Sequence, residues 1–140
     1  MAALPHNVRY GVALVACLAL AGCGGGGGGG GSSKTYDAQA TNQCLSAMEK
    51  TIVAPGDPQP SGELLAVFFQ DQTTGVSIFF GTNEAAAKQE YDKRARFLQN
   101  QPELRDQVLQ QRGNALLTWD RPASEKLRNT VLDCLKEPES

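Results

Sequence analysis

Histidine occurs once in the 140 residues, as His6, and nowhere after it. Everything downstream lacks the one side chain whose ordinary proton affinity lies near neutrality. That excludes Ser-His-Asp and Cys-His nucleophile machinery and removes imidazole as a metal ligand. Acid-base chemistry is left to carboxylates. A strong charge of either sign is also missing: 13 Lys and Arg stand against 15 Asp and Glu, a net charge of -2. With no basic field to neutralise phosphates, a dedicated nucleic-acid binder is excluded. Long apolar runs are scarce as well. The stretch from Val12 to Ala21 is half of the roughly 20 residues that a membrane-spanning helix needs, so it is no permanent anchor. No cofactor or metal is implied, and the length suits one domain.

What is present divides in two. Residues 1–22 have a short head carrying Arg9, the apolar stretch and small residues at its end, the form of an export signal that is removed. Leu20-Ala21-Gly22-Cys23 resembles the lipobox of bacterial lipoproteins, an aliphatic residue, two small residues and a cysteine, matched at all four positions. The resemblance implies cleavage between Gly22 and Cys23 and a diacylglyceryl thioether on Cys23. It further implies an exported protein held by lipid on the outer face of the cell membrane, or on the outer membrane where the cell has one. Small side chains at Ala21 and Gly22 suit a narrow peptidase site, and the thiol supplies the nucleophilic sulfur. Two acyl chains anchor stably where one is marginal. The plainer reading of the same residues is an ordinary secretory signal cut near Ala21.

Eight of the 15 glycines form the run Gly24 to Gly31, followed by Ser32 and Ser33. Glycine loses the most entropy on ordering and has no side chain to bury, so residues 23–35 read as a lipidated cysteine on a flexible leash. Its root-mean-square span is about 20 Å. A phosphate-binding glycine loop would follow a strand and end in Gly-Lys-Ser/Thr; here two serines separate the run from Lys34-Thr35, and a signal precedes it.

Residues 36–140 are then the folded domain. Residues 23–140 keep all 15 acids and 12 of the 13 bases, a side-chain balance of -3. Of four cysteines, Cys17 leaves with the signal and Cys23 carries lipid, which leaves Cys44 and Cys134 as an even pair in an oxidising setting. They are predicted to form a disulfide tying the first helix to the last. A redox or thiolate-metal pair is the rival, but the chain has no Cys-x-x-Cys and no further ligand cluster.

Thr41, Cys44, Leu45 and Met48 recur at helical spacing, predicting a helix from Asp37 to about Lys50. The Pro- and Gly-rich stretch from Pro55 to Gly62 reads as an irregular connection. Leu64 to Gln70 and Val76 to Phe80 read as a β-hairpin with a five-residue loop. Thr82 or Asn83 then caps a helix reaching about Gln99, with Ala87, Tyr91, Ala95 and Leu98 inward. Between Asn100 and Gln111 two readings compete, a short helix opened at Pro102-Glu103 and a strand from Val108 to Gln111; the short strand at the end is favoured. Ala115 to Trp119 is the last strand. Asp120 caps a final helix with Pro122 in its first turn, its stripe being Leu127, Thr130, Val131, Cys134 and Leu135. The expected fold is α+β, order α-β-β-α-β-β-α. About four strands form a small, mostly antiparallel sheet, and about three helices pack on one face.

Strand alternation sends one member of each pair, Phe68-Phe69 and Phe79-Phe80, to either sheet face. One face is core, so the other carries two phenylalanines with Ser77 and is a candidate contact face, unless residues 51–63 or the end of the leash fold over it. Lys88, Lys93, Arg94 and Arg96 are a second candidate, for anionic lipid or wall polymer. Glu84, Glu90 and Asp92 interleave with them, which favours a solvated mixed-sign helix face. Trp119 and Tyr91 read as core. A carboxylate pair for glycoside cleavage is the one enzymatic route left open; Asp71 and Asp120 sit at strand ends, but each also has a structural task. The overall reading is a lipid-anchored, non-enzymatic binding or accessory module for another envelope protein. The alternatives are a small carboxylate enzyme of the envelope and an enzyme inhibitor. A deep cleft with converging acids would favour catalysis and a flat aromatic face would favour binding.

Overall fold

The computed structural model describes residues 34–138. The export signal, the lipobox with Cys23 and the leash through Ser33 lie outside the described residues. Four helices and five strands follow one another as α1 (Ala38–Ser46), β1 (Thr51–Pro55), β2 (Gly62–Phe69), β3 (Gly75–Gly81), α2 (Glu84–Phe97), α3 (Pro102–Val108), β4 (Leu109–Arg112), β5 (Ala115–Trp119) and α4 (Glu125–Asp133). The strands form one sheet in the order β1-β2-β3-β5-β4, every neighbouring pair antiparallel.

Side-chain caps start three of the helices. Asp37 Oδ1 accepts from the Ala40 N–H at 2.7 Å, Asn83 Oδ1 from Ala86 at 2.8 Å, and Ser124 Oγ from Leu127 at 3.2 Å. Each satisfies a first-turn donor that has no partner within the helix. The last helix therefore begins at Ser124, not at Asp120, whose N–H instead donates to the Gly75 carbonyl and so prolongs the sheet.

The chain differs from the expected order at two places. α1 stops at Ser46, and Lys50, at φ 58°, turns the chain into β1; Thr51–Pro55 is thus an edge strand on β2, not loop. Residues 102–112 hold both candidate elements in succession, α3 opened by Pro102 at its first turn and then β4. The third difference is the layering. Leu65, Val67, Phe69, Val76, Ile78, Phe80, Ala115, Leu117 and Trp119 share one sheet face, here face A, and form a common core with Ala38 and Leu45 of α1 and Val131, Cys134 and Leu135 near the end of α4. The opposite face, face B, carries Phe79, Leu116 and Leu109. α2 covers that side: Arg94 of α2 hydrogen-bonds the Thr118 hydroxyl, and Gln111 Nε2 donates to the Glu84 carbonyl. Helices therefore lie on both faces, because β3 and β5 are apolar at both parities and each face needs a cover.

Cys44 in α1 and Cys134 at the end of α4 are joined, their Cα atoms 5.5 Å apart and 90 residues apart in sequence. On face A, Phe69 stacks on Trp119 with ring centroids 6.3 Å apart. Trp119 Nε1 and Gln110 Oε1 are buried without a hydrogen-bond partner among the described residues.

The first described residues are pinned by Asn114. Its Oδ1 accepts from the Tyr36 N–H at 2.6 Å, and its Nδ2 donates to the carbonyls of Tyr36 and Gly81, both at 3.0 Å. The carboxamide acts as one rung of a β-ladder, donating and accepting toward the same residue. Neighbouring Gly113 takes φ +50°, and a Cβ there would run into the Lys34 carbonyl, so only glycine lets the two segments approach. Asn114→Ala leaves three main-chain groups without this partner and is expected to cost about 2–4 kcal/mol, read from urea unfolding midpoints. A loss below about 1 kcal/mol would show that other contacts hold Tyr36.

Candidate functional site

Phe68, Phe69, Phe79 and Phe80 are the phenylalanines from which the expected contact face draws two, and the structure separates them. Phe69 and Phe80 lie in the core of face A. Phe79 points to face B but is 1% exposed, sealed by α2. Only Phe68 remains open, at 52%. α2 crosses β3, β5 and β4, which leaves a bare area on face B at Ile52, Ala54 and Phe68, with Leu64 and Ala66 beside it half-buried.

Pairing register determines what lies on that bare area. Ile52 of β1 stands directly across from Phe68, Ala54 across from Ala66, and Leu64 across from Phe79. Ile52 is 51% exposed, so the Ile52–Phe68 cross-strand pair forms a small apolar surface, flanked by Ala54, Ala66 and Leu64. Such a pair gains from mutual contact, but half of its area still meets water, and exposed apolar patches mark contact sites. Ile52 is hidden at the level of sequence because residues 51–63 read as connection; the signal that points to a strand is the β-branched run Thr51-Ile52-Val53. Phe97, 88% exposed at the end of α2, was missed as well, and it lies off the inward stripe of Ala87, Tyr91, Ala95 and Leu98.

The patch has a definite place along the sheet. Gly62, Gly81, Ala115 and Arg112 mark one end, beside Asn114 and the incoming Lys34. Phe68, Gly75 and Thr51 mark the other. Six residues of β2 separate Gly62 from Phe68, or about 20 Å.

The basic helix face is largely self-paired. Lys88 bonds Asp92 at 3.1 Å, and Lys93 and Arg94 reach Glu90 at 3.2 and 3.1 Å. Partial burial pushes the Glu90 carboxyl up, but the hydrogen bonds and charges of Lys93 and Arg94 outweigh it, so the group titrates below its ordinary value. Arg94 is thereby fixed between Glu90 and Thr118 and braces α2 on the sheet.

Neither strand-end acid joins another acid. Asp71 is exposed and paired with Lys50 at 2.9 Å, and the Asp120 side chain lies against Gly75. A shallow groove of about 320 Å³ is lined by Tyr36, Arg112, Asn129, Leu132, Asp133 and Leu135. It brings one carboxylate beside one guanidinium, whereas acid-base cleavage of a glycoside needs two carboxyl groups facing each other. Among the described residues, no three or more His, Cys, Asp or Glu cluster as a metal would require, and no helix is long and apolar enough to cross a membrane. Compared with protein-family models, with curated proteins and with solved structures, the chain matches none.

Proposed function

We propose that the protein is a lipid-anchored envelope protein whose folded domain binds another envelope protein through the Ile52–Phe68 surface. The observation that carries this reading is the bare area of face B: an apolar cross-strand pair, half exposed, beside the part of the sheet that α2 covers. The flat shape and the aromatic centre suit protein contact. The anchor rests on the lipobox, with Cys23 as the acylated residue. Lys34, the first described residue, lies at the end of the sheet opposite Phe68, about 20 Å away along β2.

A photo-crosslinking side chain at position 68, in cells carrying the whole chain, tests the surface. A discrete adduct is expected from position 68 and none from position 88 on the exposed side of α2. No adduct at 68, or the same adducts from both, overturns the reading. In the same cells Cys23→Ala is expected to move the protein from the membrane fraction to the soluble one, and an unchanged distribution removes the lipid anchor.

A further inference from the structure

The bare area ends at an open sheet edge, and that edge has a self-complementary pattern. Flanking β1, the Gln70 N–H donates to the Lys50 carbonyl at 2.9 Å and the Gly56 N–H to the Leu64 carbonyl at 2.7 Å. Hydrogen-bonded pairs alternate along an antiparallel ladder, so Ile52 and Ala54 spend their main-chain groups on Phe68 and Ala66. Thr51, Val53 and Pro55 therefore turn theirs outward, where no described strand pairs with them. The edge offers two N–H donors, at Thr51 and Val53, and three carbonyls; Pro55 has no N–H to offer.

We propose that β1 pairs with β1 of a second copy, antiparallel about a two-fold axis at Val53, to join two sheets into one. In this register all five residues overlap. The two Val53 residues exchange N–H and C=O, and each Thr51 N–H meets the other copy's Pro55 carbonyl. Every outward donor is used, and the N–H that Pro55 lacks falls opposite the Thr51 carbonyl, which stays open to water. On face B the same register sets Ile52 beside the other copy's Ala54 as a close, non-hydrogen-bonded pair. The row Phe68, Ile52, Ala54, Ala66 then runs unbroken across the junction, its last two residues from the second copy. Isologous pairing of this kind closes at two copies, which also protects an edge that would otherwise template open-ended association. A five-residue edge buries far less than the roughly 1,600 Å² of a standard interface, so the dimer is a weak, concentration-dependent one. It uses the edge and leaves face B open, and so stands independently of the partner proposed above.

Sedimentation equilibrium of the full chain in density-matched detergent, from about 1 μM to 1 mM, is expected to show reversible dimerisation. Val53→Pro removes an outward N–H and the valine side chain, which packs against the core, but no hydrogen bond within its own sheet, and edge strands tolerate proline. It is expected to weaken self-association roughly 100-fold. Val53→Ala gives up the same side chain but keeps the N–H and is expected to dimerise as the parent does; Phe68→Ala likewise. Should Val53→Pro lose its fold by circular dichroism, Thr51→Pro removes the other outward donor at the strand end. A parent chain that stays monomeric throughout, or a dimer that neither proline variant weakens, overturns the proposal, and so does equal loss in Val53→Pro and Val53→Ala.

Discussion

Replacing both Cys44 and Cys134 by alanine is expected to remove about 4.5 kcal/mol of folding stability. The bridge closes a 90-residue separation that spans all five strands, so its absence restores to the unfolded state the loop-closure entropy that the cross-link removes. Its position adds to the effect. α1 has nine residues, too few to persist alone in water, and it is held to face A by Ala38, Thr41 and Leu45 alone among its fully buried residues. The bridge fastens the far end of that helix to the end of α4, while the Asp37 N–H donates to the Lys136 carbonyl and Thr41 Oγ1 accepts from the Lys136 N–H at the near end. Urea unfolding of the parent without reductant and of the double variant measures the difference. A loss under about 1 kcal/mol would mean that packing of Leu45 and Val131 suffices. A single variant is a poorer test, because it leaves a free thiol beside Met48.

How much of this could be read in advance differs by element. The β2–β3 hairpin and the Asn83 cap follow from local chemistry, a polar loop between apolar runs and a short side chain able to bond the first turn. β1 is different in kind. Thr51–Pro55 lies between a helix and a Pro/Gly-rich stretch, and its strand character comes from pairing with β2, a contact that local propensity does not encode. The two-faced layering, by contrast, was written in Ile78-Phe79-Phe80 and Ala115-Leu116-Leu117. Uninterrupted apolar runs are the mark of strands covered on both sides. At the candidate site, alternation alone splits each phenylalanine pair between the faces; that Phe68 shares its face with Phe79 comes from the register Phe68↔Gly75 set at the turn. Which of the two stays open depended on where α2 lands, and that is fixed by Arg94 meeting Thr118 and by Ala87 packing with no exposed surface.

Truncating those two rings one at a time should therefore give opposite outcomes. Phe79→Ala opens a cavity between α2 and the sheet at a side chain 1% exposed, and is expected to cost about 3–5 kcal/mol in thermal or urea unfolding. Phe68→Ala takes away a ring that is half in water and is expected to cost less than about 1 kcal/mol. Contact with a partner should respond the other way: Phe68→Ala loses the crosslinked adduct obtained from a neighbouring probe at position 66 while the domain stays folded. If Phe79→Ala proved mild, α2 would not seal face B as described. If Phe68→Ala were as damaging as Phe79→Ala, Phe68 would be covered in the folded protein by something beyond the described residues, and the patch would be core, not contact. The difference between the two costs, about 2–4 kcal/mol, well exceeds the scatter of such measurements. The pair thus separates a ring that holds the fold from a ring the fold leaves open.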